Sequence, residues 1–364
     1  MFQCPVPDRF TGDRVTLAHG EGGRCMRQWI ERRIAPLFRA VDAGSLDEQS
    51  PVDPVLADTV SDGTVLDDSA LVRTEGTVLR MTTDAYVVSP RWFPGGDLGA
   101  LSIHGTVNDL AVGGARPRWI SLSMILEEGI ALSEVEALLG SAAEAARASG
   151  VRVVTGDTKV VPRGAADGMY VSTAGVGEVV WSLPGCDRLE AGDALLVSGP
   201  VGCHGLAVLA AREQLQLDPS PRSDVRSLWP AVERLWRAGV PVRAMRDATR
   251  GGVAAVLHEW AAASQATLRI QAGEVPTTAE VRGACELLGL DPLHMACEGA
   301  MVVAVPRAAA AQTMAVLREV AGSERATIIG EVTAGGGEPV LVRRALAAWL
   351  PLDEPQGMPL PRIC

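Results

Sequence analysis

Short β-type runs alternate with longer helical runs along most of this 364-residue chain. The alternation starts near Val78 and continues as far as Ile329. Because such elements bury their apolar faces by packing helices against sheets, the sequence predicts a mixed α/β or α+β fold. A turn-rich stretch around residues 183–192 interrupts the alternation, and the length suits about two domains. We therefore expect two mixed α/β domains in tandem.

The sequence divides into segments that differ in composition and pattern. A glycine-rich loop with a helix and an acidic insertion precede the two domains, and an extended tail, expected to be flexible, follows them. The predicted segments are residues 1–41 (N-terminal segment), 42–67 (acidic loop or insertion), 68–185 (N-terminal domain), 186–348 (C-terminal domain) and 349–364 (tail). Prolines at positions 351, 355, 359 and 361 disfavour helix in the tail.

Local patterns predict the elements in the middle of the N-terminal domain. Ser133 and Glu136 have the spacing of a capping box, which predicts a helix that stops near Gly150. The apolar run Val151–Val154 then predicts a strand. We expect this strand to lead into a polar turn at residues 156–159.

The chain is acidic, with 33 lysine and arginine residues against 44 aspartate and glutamate residues and a net charge of −11. Since it has no dense basic run, nucleic acid and anionic membranes are excluded as main partners. A bound polyanion would need a metal ion to offset local carboxylates. No apolar run approaches the ~20 residues of a membrane span, and we expect no signal peptide. Seven cysteines without paired metal-ligand spacing fit reduced thiols in a cytoplasmic protein.

The chain ends on a cysteine. Cys364 places a thiol beside the terminal carboxylate, at the end of the proline-rich tail. An extended tail of this kind suits a carrier that takes a thiol to two different sites. Alternatively the terminus frays in solvent, as termini usually do. In either case we expect the last residues to bury little surface.

A glycine-rich sequence precedes the first helical run. Backbone N–H groups of such a loop can approach an anion at a helix N-terminus, and a guanidinium adds a charged fork. The residues concerned are Gly20, Gly22, Gly23 and Arg24. An ordinary turn that leads into a helix accounts for the same residues, so both interpretations stay open.

A set of acids lies at predicted strand ends or in glycine-flanked turns. The run Val78–Thr83 indicates a strand that ends at Asp84, while Asn108 and Asp109 fall in a turn-like sequence after Gly105. The acids are Asp67, Asp68, Asp84, Asp109, Asp157 and Asp247. Mg²⁺ prefers carboxylate oxygens, with phosphate and water in the rest of its shell. Converging acids would therefore bind a nucleoside triphosphate with Mg²⁺, although any single one can be a helix cap or turn residue.

Lys159 and Glu298 each lie beside a predicted strand. Near a phosphate group, a lysine and a glutamate can stabilise charge and move a proton. Alternatively both are surface residues at strand ends. The histidines share no ligand spacing and indicate no site.

Taken together, these motifs resemble the carbamoyl dehydratase family HypE, whose members are hydrogenase maturation factors. The wider superfamily includes aminoimidazole ribonucleotide synthetase, selenophosphate synthetase and thiamine-phosphate kinase. The matching strings are Leu17–Arg24, Thr82–Pro90, Phe93–Asp97, Gly105–Ala111, Gly113–Pro117, Ile125–Gly129, Val153–Gly164, Asp247–Gly252, Arg282–Pro292 and Leu360–Cys364. The last of these separates HypE from its superfamily relatives.

The resemblance implies a two-domain PurM-like fold in which the N-terminal domain binds ATP and forms a homodimer. A HypF-type carbamoyltransferase would load a carbamoyl group onto Cys364, and the tail would then enter the ATP site. There the carboxamide oxygen would take the γ-phosphate of ATP, and phosphate would then leave to give a thiocyanate on the cysteine. A HypC–HypD type complex would receive the cyano group for the iron centre of NiFe-hydrogenase. The implied cofactors are ATP and Mg²⁺.

The resemblance also implies roles for individual residues. Cys364 is the substrate thiol, and Glu298 and Lys159 are the residues implied to remove the nitrogen proton. The implied ATP-binding residues are Gly20, Gly22, Gly23, Arg24, Asp68, Asp84, Asn108, Asp109, Asp157, Asp247, Thr249 and Arg250. The implied Mg²⁺ ligands are Asp68, Asp84, Asp109, Asp157 and Asp247. One departure lies beside the implied base, because Cys297 stands where the family usually has asparagine.

Other functions remain open on the sequence. A superfamily enzyme acting on a small molecule, such as a selenophosphate synthetase with Cys25 as its thiol, would not need Cys364. A non-catalytic thiol carrier with a vestigial nucleotide site would not hydrolyse ATP. A HypE relative in another nitrile-forming pathway would keep the chemistry and change the acceptor.

Overall fold

The computed structural model describes residues 23–34, 69–74, 76–344, 348–355 and 362–364. Gly20, Gly22, Asp68 and the acidic segment 42–67 lie outside these residues. The α-helices are α1 (Gly23–Trp29), α2 (Leu98–Val112), α3 (Leu132–Ser149), α4 (Cys203–Arg212), α5 (Trp229–Arg237), α6 (Gly252–Ser264), α7 (Ala279–Leu288) and α8 (Ala310–Arg318). Within the described part of the chain, no helix has the length and apolar character needed to cross a membrane.

The strands form two large sheets and one short hairpin. They are β1 (Ala70–Thr74), β2 (Thr77–Tyr86), β3 (Trp92–Phe93), β4 (Gly96–Asp97), β5 (Ala115–Glu127), β6 (Arg152–Val161), β7 (Met169–Val179), β8 (Ala194–Val197), β9 (Ala244–Asp247), β10 (Thr267–Gln271), β11 (Met301–Val305), β12 (Thr327–Thr333), β13 (Val340–Arg343) and β14 (Trp349–Pro351). The predicted mixed α/β architecture is confirmed.

The first sheet contains five strands in the order β1-β2-β7-β5-β6. Its neighbours are antiparallel except β5 and β6, which run parallel. Helix α2 packs on β2, β5 and β7, and α3 packs on α2. The core between them is apolar and includes Leu98, Leu101, Ile120 and Leu138.

The opposite face of the first sheet is open in the single chain. Met81 and Trp119 lie on this face because both pair with Val176, and they are 47% and 37% exposed. Side chains alternate along a strand, so Ile125, six residues after Trp119 and 44% exposed, shares the face. Lys159 pairs with Ile125 across β5 and β6 and therefore lies on this open face as well.

The second sheet contains seven strands in the order β14-β13-β10-β12-β8-β11-β9. Its central strands β8 and β11 are apolar and fully buried, as expected for strands covered on both faces. Trp260 of α6 packs on one face together with Val197 and Val302. Leu235 of α5 and Leu317 of α8 pack on the other face.

Asn108 joins the two halves of the molecule. It lies in α2 and is fully buried. Its Nδ2 donates hydrogen bonds to the carbonyl oxygens of Arg226, at 3.0 Å, and Glu298, at 3.2 Å. Its Oδ1 accepts from the backbone N–H of Leu228 at 2.7 Å. The side chain therefore fixes the loop that carries Glu298 against the helix of the first domain.

Two local predictions are wrong. The helix α3 does end at Gly150, which is left-handed (φ 69°), but it begins at Leu132 after Ala131, which makes no side-chain cap bond. Ser133 is thus inside the helix, and no capping box forms. The predicted turn at residues 156–159 is part of β6, which continues to Val161 because it pairs with β5 along its whole length.

The predicted turn around Asn108 and Asp109 is also wrong. Both residues lie in α2, a helix that is buried on nearly all sides between the first sheet, α3 and α5. A helix buried all round has no polar face, so its sequence shows little amphipathic periodicity. Asp84, expected at the end of a strand, lies inside β2, which continues to Tyr86.

The contact between α2 and α3 depends on Gly99. A Cβ at this position would lie 2.0 Å from the carbonyl oxygen of Leu138. We expect Gly99→Ala to lower the free energy of unfolding by about 2 kcal/mol, because the two helices must move apart. Gly140 in α3 has nothing within 4 Å of such a Cβ, so Gly140→Ala should instead stabilise the protein by up to about 1 kcal/mol. Urea denaturation of the parent and both variants measures this, and equal effects would contradict it.

Candidate functional site

The last three residues of the chain dock beside the end of β2. The backbone N–H of Val87 donates to an oxygen of the terminal carboxylate of Cys364 at 3.0 Å, and that of Ser89 donates to the carbonyl of Arg362 at 3.1 Å. Between them, Ile363 is 1% exposed and belongs to the core of the first domain. The expectation that the last residues bury little surface is therefore wrong, because an apolar residue in this position fills a gap in the core.

Docking brings the Cys364 thiol into a group of ionisable side chains. Burial raises the pKa of this thiol to about 12. Arg250 acts in the opposite direction, while Glu298, Asp84 and Asp247 raise the pKa further. The thiol is therefore neutral at physiological pH, and the tail end lies among one guanidinium and several carboxyl groups.

Glu298 precedes β11 in a loop held by hydrogen bonds to its backbone. Its N–H and that of Gly299 donate to the two carboxylate oxygens of Asp224, at 3.2 and 3.0 Å. The side chain is 2% exposed, and its Oε2 has no hydrogen-bond partner among the described residues. Burial, followed by the charges of Asp247 and Asp224, raises the pKa of Glu298 well above its usual value. A buried carboxyl with a raised pKa is a stronger base once deprotonated, which suits proton transfer.

Three further acids come from different elements. Asp84 of β2 accepts hydrogen bonds from Tyr86, at 3.0 Å, and from Thr106, at 3.3 Å. Asp109 of α2 accepts from Thr82 at 2.7 Å. Burial raises the pKa of Asp84 despite its hydrogen bonds. Both domains therefore contribute to one acidic site, since Asp247 lies at the end of β9 in the second sheet.

Asp247 is a buried acid whose carboxylate is not fully hydrogen-bonded within the described ranges. It is 4% exposed, and its Oδ2 lacks a hydrogen-bond partner among the residues that the structure describes. Burial and the neighbouring Asp84 raise its pKa to about 6. It does not cap α6, because the residue before that helix is Gly251, with a φ of 81° and no side-chain cap. The alternative of a helix cap is thus excluded for Asp247.

Arg250 provides a half-buried positive charge at this site. It lies in the turn before α6, where the carbonyl of Thr249 accepts a hydrogen bond from Gly252 at 2.9 Å. The pKa of Arg250 is raised, chiefly by Cys364 and then by Asp84 and Glu298. Arg250 therefore stays charged and offsets part of the negative charge around it.

The acids of this site favour a bound cation, because among the described residues Arg246 and Arg250 offset only part of their negative charge. Across the described ranges, no three His, Cys, Asp or Glu side chains are already arranged as a metal site. Mg²⁺ usually takes only one or two protein carboxylates and completes its shell with phosphate and water, so such a triad is not required. The unpartnered Oδ2 of Asp247 and the raised pKa values of Asp84 and Asp247 fit a site that gains from positive charge.

Asp157 and Lys159 are not part of this cluster in the single chain. The helix-covered face of the first sheet carries a row of cross-strand partners, which are Asp84, Thr173, Leu122 and Gly156. Asp157 directly follows Gly156, and Lys159 lies two residues further along the strand. Because side chains alternate between the two faces, both project from the open face. Lys159 Nζ lies 2.8 Å from Asp157 Oδ2, and the two side chains are 70% and 59% exposed. The predicted catalytic role of Lys159 and the ligand role of Asp157 stay predictions.

The predicted glycine-rich loop is described only from Gly23, which begins α1. The backbone N–H of Arg24 donates to the carbonyl of Pro355 at 3.1 Å, and its Nε lies 3.8 Å from the carboxylate of Glu354. Arg27 also pairs with Glu354. In this structure α1 is therefore anchored on the first part of the tail, and the anion-binding role of Arg24 stays a prediction.

The sequence predicts Asn108 as an ATP-binding residue, yet in this structure its amide is engaged by protein backbone, and the ATP role stays a prediction. Other residues that build the site are missed by sequence reasoning. His204 and Arg212 contact the docked tail, and neither belongs to a motif that marks it. Cys297 is buried, accepts a hydrogen bond from the N–H of Gly202 at 3.1 Å, and has a pKa well above its usual value because of burial. The cysteine is thus a neutral packing residue beside Glu298.

Comparison with known proteins gives consistent similarities over the whole chain. The N-terminal domain model of AIR synthase related protein matches residues 66–179, and the C-terminal domain model matches residues 190–343. Carbamoyl dehydratase HypE of Escherichia coli (strain K12) is 44% identical over 354 residues, which is 97% of this chain and 100% of that protein.

Solved structures of the same type superpose on this one. A crystal structure of a HypE–HypF complex has a TM-score of 0.77 and 37% identity and covers 83% of this chain and 98% of its own. A crystal structure of the hydrogenase maturation protein HypE in complex with ATP has a TM-score of 0.76 and 39% identity. It covers 96% of this chain and 100% of its own.

The raised pKa of Asp247 generates a pH-dependent prediction. A carboxyl whose pKa is about 6 in the folded state and ordinary when unfolded destabilises the fold progressively as pH rises from about 4, its pKa in the unfolded chain, to slightly above 6. Asp247→Asn removes this charge, so without ligand it should stabilise the protein more at pH 7.5 than at pH 5, by on the order of 1 kcal/mol. Urea denaturation in EDTA at the two pH values measures the difference. Asp187→Asn, at an acid outside this cluster, is the control, and an equal effect of Asp247→Asn at both pH values would contradict the prediction.

Proposed function

This chain belongs to the HypE family of carbamoyl dehydratases, and we propose that it dehydrates a carbamoyl group carried on its own Cys364. As a member of this family it is an ATP-dependent enzyme of hydrogenase maturation. The observation that carries the assignment to Cys364 is the docked position of this residue beside Arg250 and Glu298. A thiol placed among Glu298, Asp84, Asp247 and Arg250 is well positioned to react there.

The proposed reaction consumes the thiocarbamate on Cys364 and ATP and yields a thiocyanate, ADP and phosphate. The carboxamide oxygen attacks the γ-phosphorus as the bond to ADP breaks, and the nitrogen loses one proton. The carbon–oxygen bond then breaks, phosphate leaves, and the nitrogen loses its second proton as the carbon–nitrogen triple bond forms. Hydroxide is a poor leaving group and phosphate a good one, so two easier steps replace a difficult one.

The residues of the chain serve this reaction in distinct ways. Glu298 is the proposed base, since its raised pKa makes the carboxylate a strong acceptor of the nitrogen proton. Arg250 is proposed to stabilise negative charge that develops on the transferred oxygen atoms. Lys159 would assist the same proton transfer, although it lies on the open face of the first sheet.

We assign ATP to the acidic site and Mg²⁺ to its carboxylates. Asp84, Asp109 and Asp247 would hold the metal, with Asp68 as a further predicted ligand outside the described residues. Bound Mg²⁺ would neutralise phosphate charge and polarise the γ-phosphoryl group. The unpartnered Oδ2 of Asp247 supports this assignment.

The proposed partners are those that the chemistry requires. A HypF-type carbamoyltransferase would load Cys364, as the solved complex of a relative with HypF suggests. A HypC–HypD type complex would then accept the cyano group. A free thiol at Cys364 needs a reducing compartment, so we place the reaction in the cytoplasm.

Removal of the substrate thiol tests the function. Cys364→Ala should bind ATP as well as the parent but accept no carbamoyl group and form no thiocyanate. After loading, mass spectrometry should show the parent's C-terminal peptide heavier by one carbamoyl group, and after ATP lighter by one water. Cys25→Ala is the matched control and should behave like the parent. Modification of Cys25, or turnover by Cys364→Ala, would favour a small-molecule enzyme instead.

We also propose a homodimer formed through the open face of the first sheet. Support comes from the apolar side chains of Met81, Trp119 and Ile125, which this face exposes. Ile125→Glu should shift the protein to monomers in light scattering at micromolar concentration, because a buried, unpaired carboxylate is costly. Leu287 on α7 is 75% exposed and lies on the other domain, so Leu287→Glu should leave the mass unchanged. A monomeric parent would refute the proposal.

A further inference from the structure

Two guanidinium groups join the docked tail to the chain after β2: that of Arg362 in the tail, which donates to the carbonyl of Val87 at 2.9 Å, and that of Arg212. Arg212, the last residue of α4, donates from Nε to the carbonyl of Ser89 at 2.8 Å and from Nη2 to the carbonyl of Arg362 at 2.7 Å. The planar fork of an arginine suits two acceptors at a fixed spacing, which a lysine ammonium does not reproduce.

A second contact comes from the other end of α4. His204 is fully buried, and its Nε2 lies 2.6 Å from the carbonyl oxygen of Ile363. A carbonyl can only accept, so Nε2 is the donor and Nδ1 is an acceptor in the neutral ring. Nδ1 lies 2.8 Å from the hydroxyl of Ser223, whose oxygen in turn accepts from the N–H of Val225 at 3.2 Å. This chain of hydrogen bonds fixes the tautomer that holds the tail.

The ring of His204 is also fixed in orientation. Its face-to-edge contact with Phe93 has a centroid distance of 5.2 Å and an interplanar angle of 86°. Burial lowers the pKa of His204, which keeps the ring neutral. The imidazole is therefore a rigid donor, aimed at one carbonyl of the tail.

The contacts from Arg212 and His204 are with backbone carbonyls of the tail, so these two residues fix its register whatever its side chains are. Arg212 fixes residue 362, His204 fixes residue 363, and the N–H of Val87 fixes residue 364. A shift by one residue would carry the buried Ile363 out of the core and the thiol away from Arg250.

We propose that Arg212 and His204 are positioning residues that hold the tail in the register for dehydration, while contacting neither the nucleotide nor the reacting thiol. This inference rests on the proposed function, because dehydration is assigned to Cys364. Loading by a carbamoyltransferase needs the tail released from the two residues. Loosening the tail should therefore slow dehydration without slowing loading.

Thiol protection tests the proposal without any carbamoyl chemistry. Full-length protein is treated with iodoacetamide, and each cysteine is followed by peptide mass spectrometry. Arg212→Met should raise the alkylation rate of Cys364 about tenfold, the effect of losing about one net hydrogen bond to a charged donor. Cys297, which is fully buried elsewhere, should stay protected. Arg307→Met, at a surface arginine whose side chain is 72% exposed, is the control and should change neither rate.

Two further measurements separate positioning from folding. Arg212→Lys should give an intermediate alkylation rate, since one ammonium can still donate to one of the two carbonyls. Pre-loaded Arg212→Met should dehydrate about tenfold more slowly after ATP, with ATP affinity and the rate of loading unchanged. An unchanged Cys364 rate, or an equal rise at Cys297, would overturn the proposal. If the parent loads but never dehydrates, the proposed function fails, and the alkylation rates still decide the positioning role.

Discussion

Close packing of several carboxyl groups beside only two guanidinium groups is the constraint on which this structure depends. Glu298 and Asp247 are buried, Asp84 is half-buried, and the three repel one another, while Arg250 and Arg246 offset only part of their charge. Their pKa values rise as a result, which places proton-binding groups and cation-binding groups next to each other. The surrounding structure must hold them against this repulsion. Asn108 does so from the first domain, and Asp224 from the second.

The sequence predicts the chemistry of the site better than its geometry. Asp84, Asp247 and Cys364 stand in motifs that resemble a known family, and the structure brings them together with Glu298. The same motifs contain Asp157, whose strand sets it on the opposite face of the sheet. Strand register decides the face of each side chain, and register depends on pairing with distant strands, which a local pattern does not encode.

Other failures have different physical causes. Helix α2 is not predicted from the sequence, because a helix that is buried on nearly all sides lacks the hydrophobic periodicity of a surface helix. His204 acts through a hydrogen bond to Ile363, 159 residues further along the chain, and no spacing signals such a contact. Most strands of the second domain are predictable because continuous apolar runs such as Met301–Val305 are themselves the signal for a buried strand. Local secondary structure can thus be predicted from the sequence, whereas contacts between remote segments cannot.

The neutral state of the docked Cys364 has a consequence for what the site admits. Surroundings that raise the pKa of the Cys364 thiol to about 12 penalise the thiolate form of this side chain. A thiocarbamate and a thiocyanate carry no charge and escape this penalty, whereas a thiolate does not. The pocket therefore distinguishes the forms of its own tail by charge rather than by shape. Entry is open to the neutral thiol, to the thiocarbamate and to the thiocyanate, whereas a thiolate must take up a proton before it docks.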